Sequence, residues 1–307
     1  MSVKLEVELA GLKLKNPTIL ASGILGISKK MLLSVVKAGA GAVTTKSITI
    51  KPREGHKNPV LIQTSEETFL NAVGYSNPGL EESKKEFEGL SNFPVPVIGS
   101  LVGSDAEEFA YLAENVKEIG FKAIEIVLSC PHTPGFGMLA GQGTPEVTEE
   151  ITSAVRSKTK LPLFVKVSPN IMCLGDVVKA AKKAGADGIT AVNTLGPGMA
   201  IDIETAKPIL DFKVGGMSGP AIRPIAVRCV YDIYESVKIP IIGVGGIITG
   251  KDAVEMMMAG ASAISIGTGI YYRELDIFKK VCDEMSEFMK SHGYSNLKEI
   301  VGLAHRD

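Results

Sequence analysis

The run EIVLSCPHTPG carries a thiol to a position where chemistry is commonly done. The apolar, β-rich segment Ala123 to Leu128 leads into Cys130, and Pro131 at once stops any regular continuation. In α/β proteins sites form outside the carboxyl ends of strands, so Cys130 at the start of a Gly- and Pro-rich loop reads as a reactive group. An inert, half-buried cysteine is the competing reading. Lys46 and Lys166 close two further β-rich runs, AVTTKS and LFVKVS, and neither run offers an Asp or Glu as partner. Such lysines suit the stabilisation of negative charge on a reduced cofactor or an anionic substrate; the bland alternative is a surface lysine, or one satisfied by a structural carboxylate. Asn71 and Asn77 lie in the glycine-punctuated run FLNAVGYSNPG, and Asn193-Thr194 ends another strand. These side chains either contact a ligand or serve turn chemistry.

Glycines supply the remaining signal. IIGVGGI and ISIGTGI place them where the last two predicted strands hand over to helices. Backbone N–H groups there approach an anion closely, a helix N-terminus adds a favourable dipole, and barrels bind phosphate at this place. Tight turns alone are the alternative. No GxGxxG dinucleotide motif follows the first strand. Met256-Met257-Met258 reads as core and helix surface, and His132 as a ligand contact or a loop residue. Cys173, Cys229 and Cys282 fall in helical patterns and read as inert. The basic stretch Lys51 to Lys57 reads as a solvated loop.

The elements that must position these groups are legible in the pattern. Short apolar runs predict strands at Thr18–Ser22, Ala42–Ser47, Val95–Ser100, Ala123–Leu128, Leu163–Val167, Gly188–Asn193, Pro240–Val244 and Ala263–Gly267. Most are continuous rather than alternating, as parallel strands covered on both faces require. Helical patterns follow nearly every strand. Ser104 and Glu107 predict a capping box before Phe109, with Gly120 ending that helix, and Thr144-Pro145 and Thr249 predict two further starts. KAGAGAV, KKAGADGI and MAGASAI repeat one device: a helix end, a glycine cap, then the next strand. The expected architecture is an α/β fold, a (β/α)8 TIM barrel over residues 1–307 as one domain, in preference to an open doubly wound sheet. VKLEVELAGLKLKNP alternates around Ala10-Gly11 and predicts an N-terminal β-hairpin capping the barrel bottom. Turn-rich insertions are expected after strand two (Ile48 to Gly79), after strand four in the loop of Cys130, and after strand six (Leu195 to Pro220).

Composition bounds the rest. The 307 residues are 45% hydrophobic and 22% charged with net charge −1, so neither nucleic acid nor a membrane surface is an expected partner. Four scattered cysteines without a CxxC pair argue against a metal or iron–sulfur site built by this chain. With no signal-peptide pattern and no spanning stretch, cytoplasmic localisation is the expectation.

The motifs ILASG, TTKSIT, PREGHKNP, FLNAVGYSNPG, LSCPHTPG, FVKVSPN, VNTL, MAIDI, GGMSGPAIRPIAVRCVYDIY and IPIIGVGGIITGKDAVEMMMAGASAISIGTG, in this order, resemble class 1 dihydroorotate dehydrogenases, most nearly the class 1B catalytic subunit. The resemblance implies a barrel holding FMN that oxidises dihydroorotate to orotate in pyrimidine synthesis. It implies Cys130 as the base that removes the ring proton while hydride passes to the flavin. It implies flavin contacts at Ser22, Lys46, Ser47, Lys166, Val192, Gly219, Gly245, Gly246, Gly267 and Thr268, the last of these around the phosphate. Substrate contacts are implied at Lys46, Asn71, Ala72, Val73, Gly74, Tyr75, Asn193 and Thr194. It further implies a homodimer joined by an electron-transfer subunit that carries FAD and a 2Fe–2S cluster and passes electrons to NAD. One departure stands out: the family reads Asn-x-Ser-Cys-Pro where this chain reads Val127-Leu128-Ser129-Cys130-Pro131. Val127 cannot donate the hydrogen bond that Asn makes, at a cost of about 1–3 kcal/mol if a partner is left unsatisfied. Two other readings compete: a dihydropyrimidine dehydrogenase-like FMN subunit, which GMLAGQ resembles, and a flavin-binding barrel without catalysis.

Overall fold

The strands that lead to Lys46, Lys166 and Asn193 belong to one closed ring. The computed structural model describes residues 3–128 and 143–306. Cys130 and His132, with the rest of the loop after the fourth predicted strand, lie outside the described residues. In chain order the strands are β1 (Val7–Leu9), β2 (Leu12–Leu14), β3 (Thr18–Leu20), β4 (Ala42–Thr44), β5 (Leu61–Ser65), β6 (Thr68–Asn71), β7 (Val97–Leu101), β8 (Ala123–Val127), β9 (Leu163–Val167), β10 (Gly188–Ala191), β11 (Leu195–Gly198), β12 (Ile201–Asp202), β13 (Lys207–Pro208), β14 (Gly215–Ser218), β15 (Ile241–Val244) and β16 (Ala263–Ile266). The helices are α1 (Lys29–Lys37), α2 (Gly79–Glu86), α3 (Ala106–Asn115), α4 (Pro145–Lys158), α5 (Leu174–Lys183), α6 (Arg223–Ser236), α7 (Gly250–Met258), α8 (Gly269–Arg273) and α9 (Ile277–Ser291). The strands β3, β4, β7, β8, β9, β10, β15 and β16 close into a parallel barrel in that order, as expected from the eight apolar runs. Each observed strand lies within its predicted run, save β7, which reaches one residue further, to Leu101.

The strand registers order the barrel interior into layers. Inward residues recur every second position, and neighbouring strands are staggered by one residue. At the amino end Ile19, Ile98, Phe164 and Ile242 stand above Ala42, Ala123 and Ala263. The β1–β2 hairpin plugs this end with Leu9, Leu12 and Leu14. Its turn places Ala10 and Gly11 at φ 49° and 83°, the left-handed pair that a two-residue hairpin loop demands. Two residues further along alternate strands come Thr44, Glu125, Thr190 and Ser265, all buried. Ala21, Ser100, Lys166 and Val244 follow, and Lys46, Val127, Val192 and Gly267 form the rim. The interior therefore passes from apolar to polar to chemically armed toward the carboxyl end. Outward strand residues pack under the helices in the largest apolar core, with Leu32, Phe109, Val155, Ile233 and Phe278 fully buried.

Several local expectations hold. Thr144 caps α4 by accepting from the Val147 N–H, and Thr249 forms a capping box with Asp252 at α7. Others need correction. The cap of α3 is Asp105, which accepts from Glu108 N–H, while Glu108 reaches back to Ser104 N–H; the box sits one residue beyond Ser104 and Glu107. That helix stops at Asn115, and a 3-10 turn over Lys117–Ile119 precedes Gly120. Cys173 is exposed at the N-cap of α5 rather than inside a helix. The two insertions are more than turns. They meet in a four-stranded antiparallel sheet, β11–β14–β6–β5, where Gly216 pairs with Asn71 and Ser218 with Phe69. Nor is the Lys51–Lys57 stretch simply solvated: Arg53 pairs with Asn77 through the backbone, and the His56 ring stacks on Phe212 at 3.9 Å.

Candidate functional site

At the carboxyl end of the barrel lies a cavity of about 550 Å³, within the ordinary range for a ligand site. Its walls come from three sources: the barrel rim, the insertion sheet, and the turns that open α7 and α8. The sequence-predicted groups converge on it. Ser22, Lys46, Ser47, Lys166, Val192, Gly219, Gly245, Gly246, Gly267 and Thr268 line it, as do Asn71, Ala72, Val73, Gly74, Tyr75, Asn193 and Thr194. Asn77 does not. Its buried side chain accepts from Gly79 N–H and donates to Thr49 and to the Tyr75 carbonyl, so it holds the loop that presents residues 71–75. Val127 stands in the cavity wall at 3% exposure, beside Lys166 in the β8–β9 register.

Lys46 and Lys166 are the charged side chains of the lining. Lys46 makes no hydrogen bond or ion pair through its ammonium with another described residue, and burial lowers its pKa below the ordinary 10.5. Lys166 reaches across the barrel to β3's end, donating to Ser22 Oγ at 3.0 Å. Its own run offers no Asp or Glu, but the alternative of a structural carboxylate is met from outside that run. Glu125 on the neighbouring strand places Oε1 3.9 Å from Lys166 Nζ. The partner is not in the lysine's own segment, which is why the sequence did not show it.

The segment that follows Gly246 is braced from behind. Asp252 accepts from Ile248 N–H and Thr249 N–H at 3.0 and 2.8 Å and is paired with Arg223. Arg273 donates to the Ile248 carbonyl and to Glu284, which in turn accepts from Gly250 N–H. Gly245 and Gly246 sit at φ 136° and 70°, conformations that side chains resist. The backbone N–H groups of Gly245, Gly246, Gly267 and Thr268 make no backbone hydrogen bond with another described residue. Orphaned donors on a cavity wall, facing no carboxylate and sharing the space with two lysines, make an anion cradle. A Cβ built on Gly267 would meet only Ala21, at 3.5 Å, so glycine there keeps the cavity open rather than relieving a clash.

Some lining groups escaped the sequence reading. Ser218 accepts from Thr268 Oγ1 at 2.9 Å and ties the insertion sheet to the α8 turn. Phe69, Leu61 and Tyr271 form an apolar rim, with Phe69 and Tyr271 edge-to-face at 4.8 Å. Leu61 and Phe69 come from the β5–β6 hairpin and Tyr271 from α8, elements far apart in sequence. Among the described residues no group of three His, Cys, Asp or Glu could hold a metal ion, and no helix is long and apolar enough to cross a membrane.

Comparison with known proteins agrees with this geometry. Residues 4–289 match the family described as dihydroorotate dehydrogenase. The chain is 47% identical over 305 residues to the "Dihydroorotate dehydrogenase B (NAD(+)), catalytic subunit" of Methanocaldococcus jannaschii, covering 98% of each chain. It is 46% identical over 300 residues to the protein of that name from Pyrococcus abyssi, covering 98% of this chain and 99% of that one. Among solved structures, dihydroorotate dehydrogenase from Eimeria tenella, in complex with ferulenol, superposes with a TM-score of 0.85 at 25% identity, covering 99% of this chain and 89% of the other.

Proposed function

The chain belongs to the dihydroorotate dehydrogenase family, and we propose that it oxidises dihydroorotate to orotate, a step of pyrimidine synthesis, with FMN in the barrel mouth. The observation that carries this reading is the cavity itself. It joins a cradle of orphaned glycine amides to two cationic lysines and an Asn-bearing sheet, which suits a phosphate at one end and an anionic ring at the other.

The residues present fit FMN. Gly245, Gly246, Gly267 and Thr268 would hold its phosphate, with Gly219 nearby, and Ser22, Ser47, Lys46, Lys166 and Val192 would flank its ring system. When bound, FMN supplies the hydride acceptor. The chain's own residues do the rest. Lys46 and Lys166 place positive charge where the reduced ring and the carboxylate carry negative charge. Asn71, whose amide is oriented by donating to the Gly216 carbonyl at 3.2 Å, and Asn193 hold the substrate's polar edges, with Ala72 to Tyr75 and Thr194 beside them. The Sγ of Cys130 takes the ring proton, a role open to a cysteine through its thiolate. The relatives' name, a catalytic subunit linked to NAD, supports a partner subunit for this chain; a homodimer core and a partner carrying FAD and a 2Fe–2S cluster complete the proposal.

Val127 favours one second reading. An apolar wall in place of a donor suits a dihydropyrimidine lacking one of orotate's polar groups. Anaerobic mixing of the FMN-loaded protein with dihydroorotate, and separately with dihydrouracil, tests both. Bleaching of the flavin by dihydroorotate supports the main reading, and bleaching by dihydrouracil alone replaces it with the second. The variant Cys130→Ala should keep the yellow cofactor and lose about 10²–10⁴-fold in reduction rate; an unchanged rate would remove Cys130 from the mechanism.

A further inference from the structure

Glu125 is the acid of the barrel interior. It lies 3% exposed in the layer of Thr44, Thr190 and Ser265, directly beneath the cavity floor. Its Oε1 accepts no hydrogen bond from any described group, and its cationic neighbour is Lys166 Nζ at 3.9 Å. A buried carboxylate with so little hydrogen bonding is costly, and interior ion pairs are often replaced by apolar residues without loss of stability. Its neighbours in the layer are small and neutral, so packing alone does not call for an acid here. Lys166, for its part, is 5% exposed and held between two anchors, Ser22 Oγ and Glu125. It stands one layer below the rim, while Lys46 stands in the rim itself.

We propose that Glu125 is a positioning residue that holds the Lys166 ammonium down at the cavity floor and limits the positive charge that a ligand's ring experiences. The inference rests on the reading that Lys166 flanks FMN. With Glu125 neutralised, Lys166 loses its lower anchor, and its ammonium is free to rise toward the ligand's ring. A reduced flavin, which carries more negative charge than the oxidised form, is then held more tightly relative to it.

The test measures the two-electron potential of the FMN-loaded protein and its FMN affinity, with no turnover involved. Glu125→Gln should favour reduced over oxidised FMN by at least tenfold, which is about +30 mV for a two-electron couple. Glu125→Asp keeps the charge and should shift the ratio threefold or less. In a Lys166→Met background, Glu125→Gln should lose most of its effect. A potential unchanged in Glu125→Gln overturns the proposal. So does an equal shift in Glu125→Asp, which would mark a packing role, or a full shift in the Lys166→Met background, which would mark direct action. If Glu125→Gln alone does not fold, the double variant with Lys166→Met should fold and match the potential of Lys166→Met; failure of both overturns the inference. Unaltered protein that binds no FMN would instead sink the flavin reading, and this inference with it.

Discussion

Two glycines of the anion cradle separate the cost of folding from the cost of binding. A Cβ on Gly246 would lie 2.6 Å from Arg223 Cβ and 3.1 Å from that residue's Cα and N, and φ there is +70°. The left-handed conformation costs an Ala roughly 1–2 kcal/mol, and forcing the neighbour aside costs about 1–3 more. Gly246→Ala should therefore lose roughly 2–5 kcal/mol of stability, which at roughly 2 °C per kcal/mol for a chain of this size lowers Tm by about 4–10 °C. Gly267→Ala has no such burden. Its methyl would meet Ala21 Cβ at 3.5 Å, an ordinary contact, and otherwise project into the cavity. Replacing Gly by Ala at an unstrained site stabilises by about 0.4–1 kcal/mol through the unfolded chain, so Tm should hold or rise. The methyl then burdens only the ligand. An overpacked methyl at about 1–3 kcal/mol weakens FMN by about 5- to 150-fold. The assay pairs thermal melts of the apoprotein with FMN titration followed by quenching of flavin fluorescence. Gly267→Ala binding FMN as tightly as the unaltered protein would refute the placement of the ligand against this turn. A fall in Tm matching that of Gly246→Ala would refute the steric reasoning.

Other expectations follow from single groups. Burial lowers the Lys46 pKa below 10.5, so the unfolded chain binds more protons than the folded one between that lowered value and 10.5, and ligand-free stability rises with pH across this window. Lys46→Met should abolish that slope and raise Tm at pH 7 while substrate-driven flavin reduction is lost; a lower Tm would show that the ammonium is a stabilising group. Val127→Asn should tighten orotate by about 1–3 kcal/mol if the polar edge is otherwise unsatisfied, and a titration showing no gain means that another group already serves it. Burial pushes the Cys229 and Cys282 thiols up to about 11, whereas Cys173 is exposed. Peptide mapping after treatment with a thiol reagent at pH 8 should find Cys173 modified well before Cys229 and Cys282; early modification of the latter two would mean that α6 and α9 open readily.

Much of this molecule is local and so was written in the chain. Continuous apolar runs ending in Lys46, Lys166 or Asn193 announce buried parallel strands, because a strand covered on both faces has no polar alternation to show. Gly245-Gly246 are equally legible, since positive φ selects glycine in any context. Thr144 and Thr249 mark helix starts because a cap needs only the next three residues. Where two residues able to cap stand side by side, as at Ser104 and Asp105, the pattern alone misplaced the start by one residue. What the chain could not show depends on neighbours far apart in sequence. The carboxylate beneath Lys166 belongs to Glu125, a residue of the preceding strand, and the parallel β8–β9 pairing with its stagger sets the two at 3.9 Å. The insertions after β4 and β10 read as turns because their strands are short, and the one ladder that joins them, Ser218 opposite Phe69, links segments far apart in sequence. Asn71 and Asn77 looked alike in sequence; packing turned one toward the cavity and buried the other as a brace for the loop. Residue types and their order thus determined the barrel and the groups at its mouth. Which of those groups share a charge, a wall or a hydrogen bond was decided only when the ring closed.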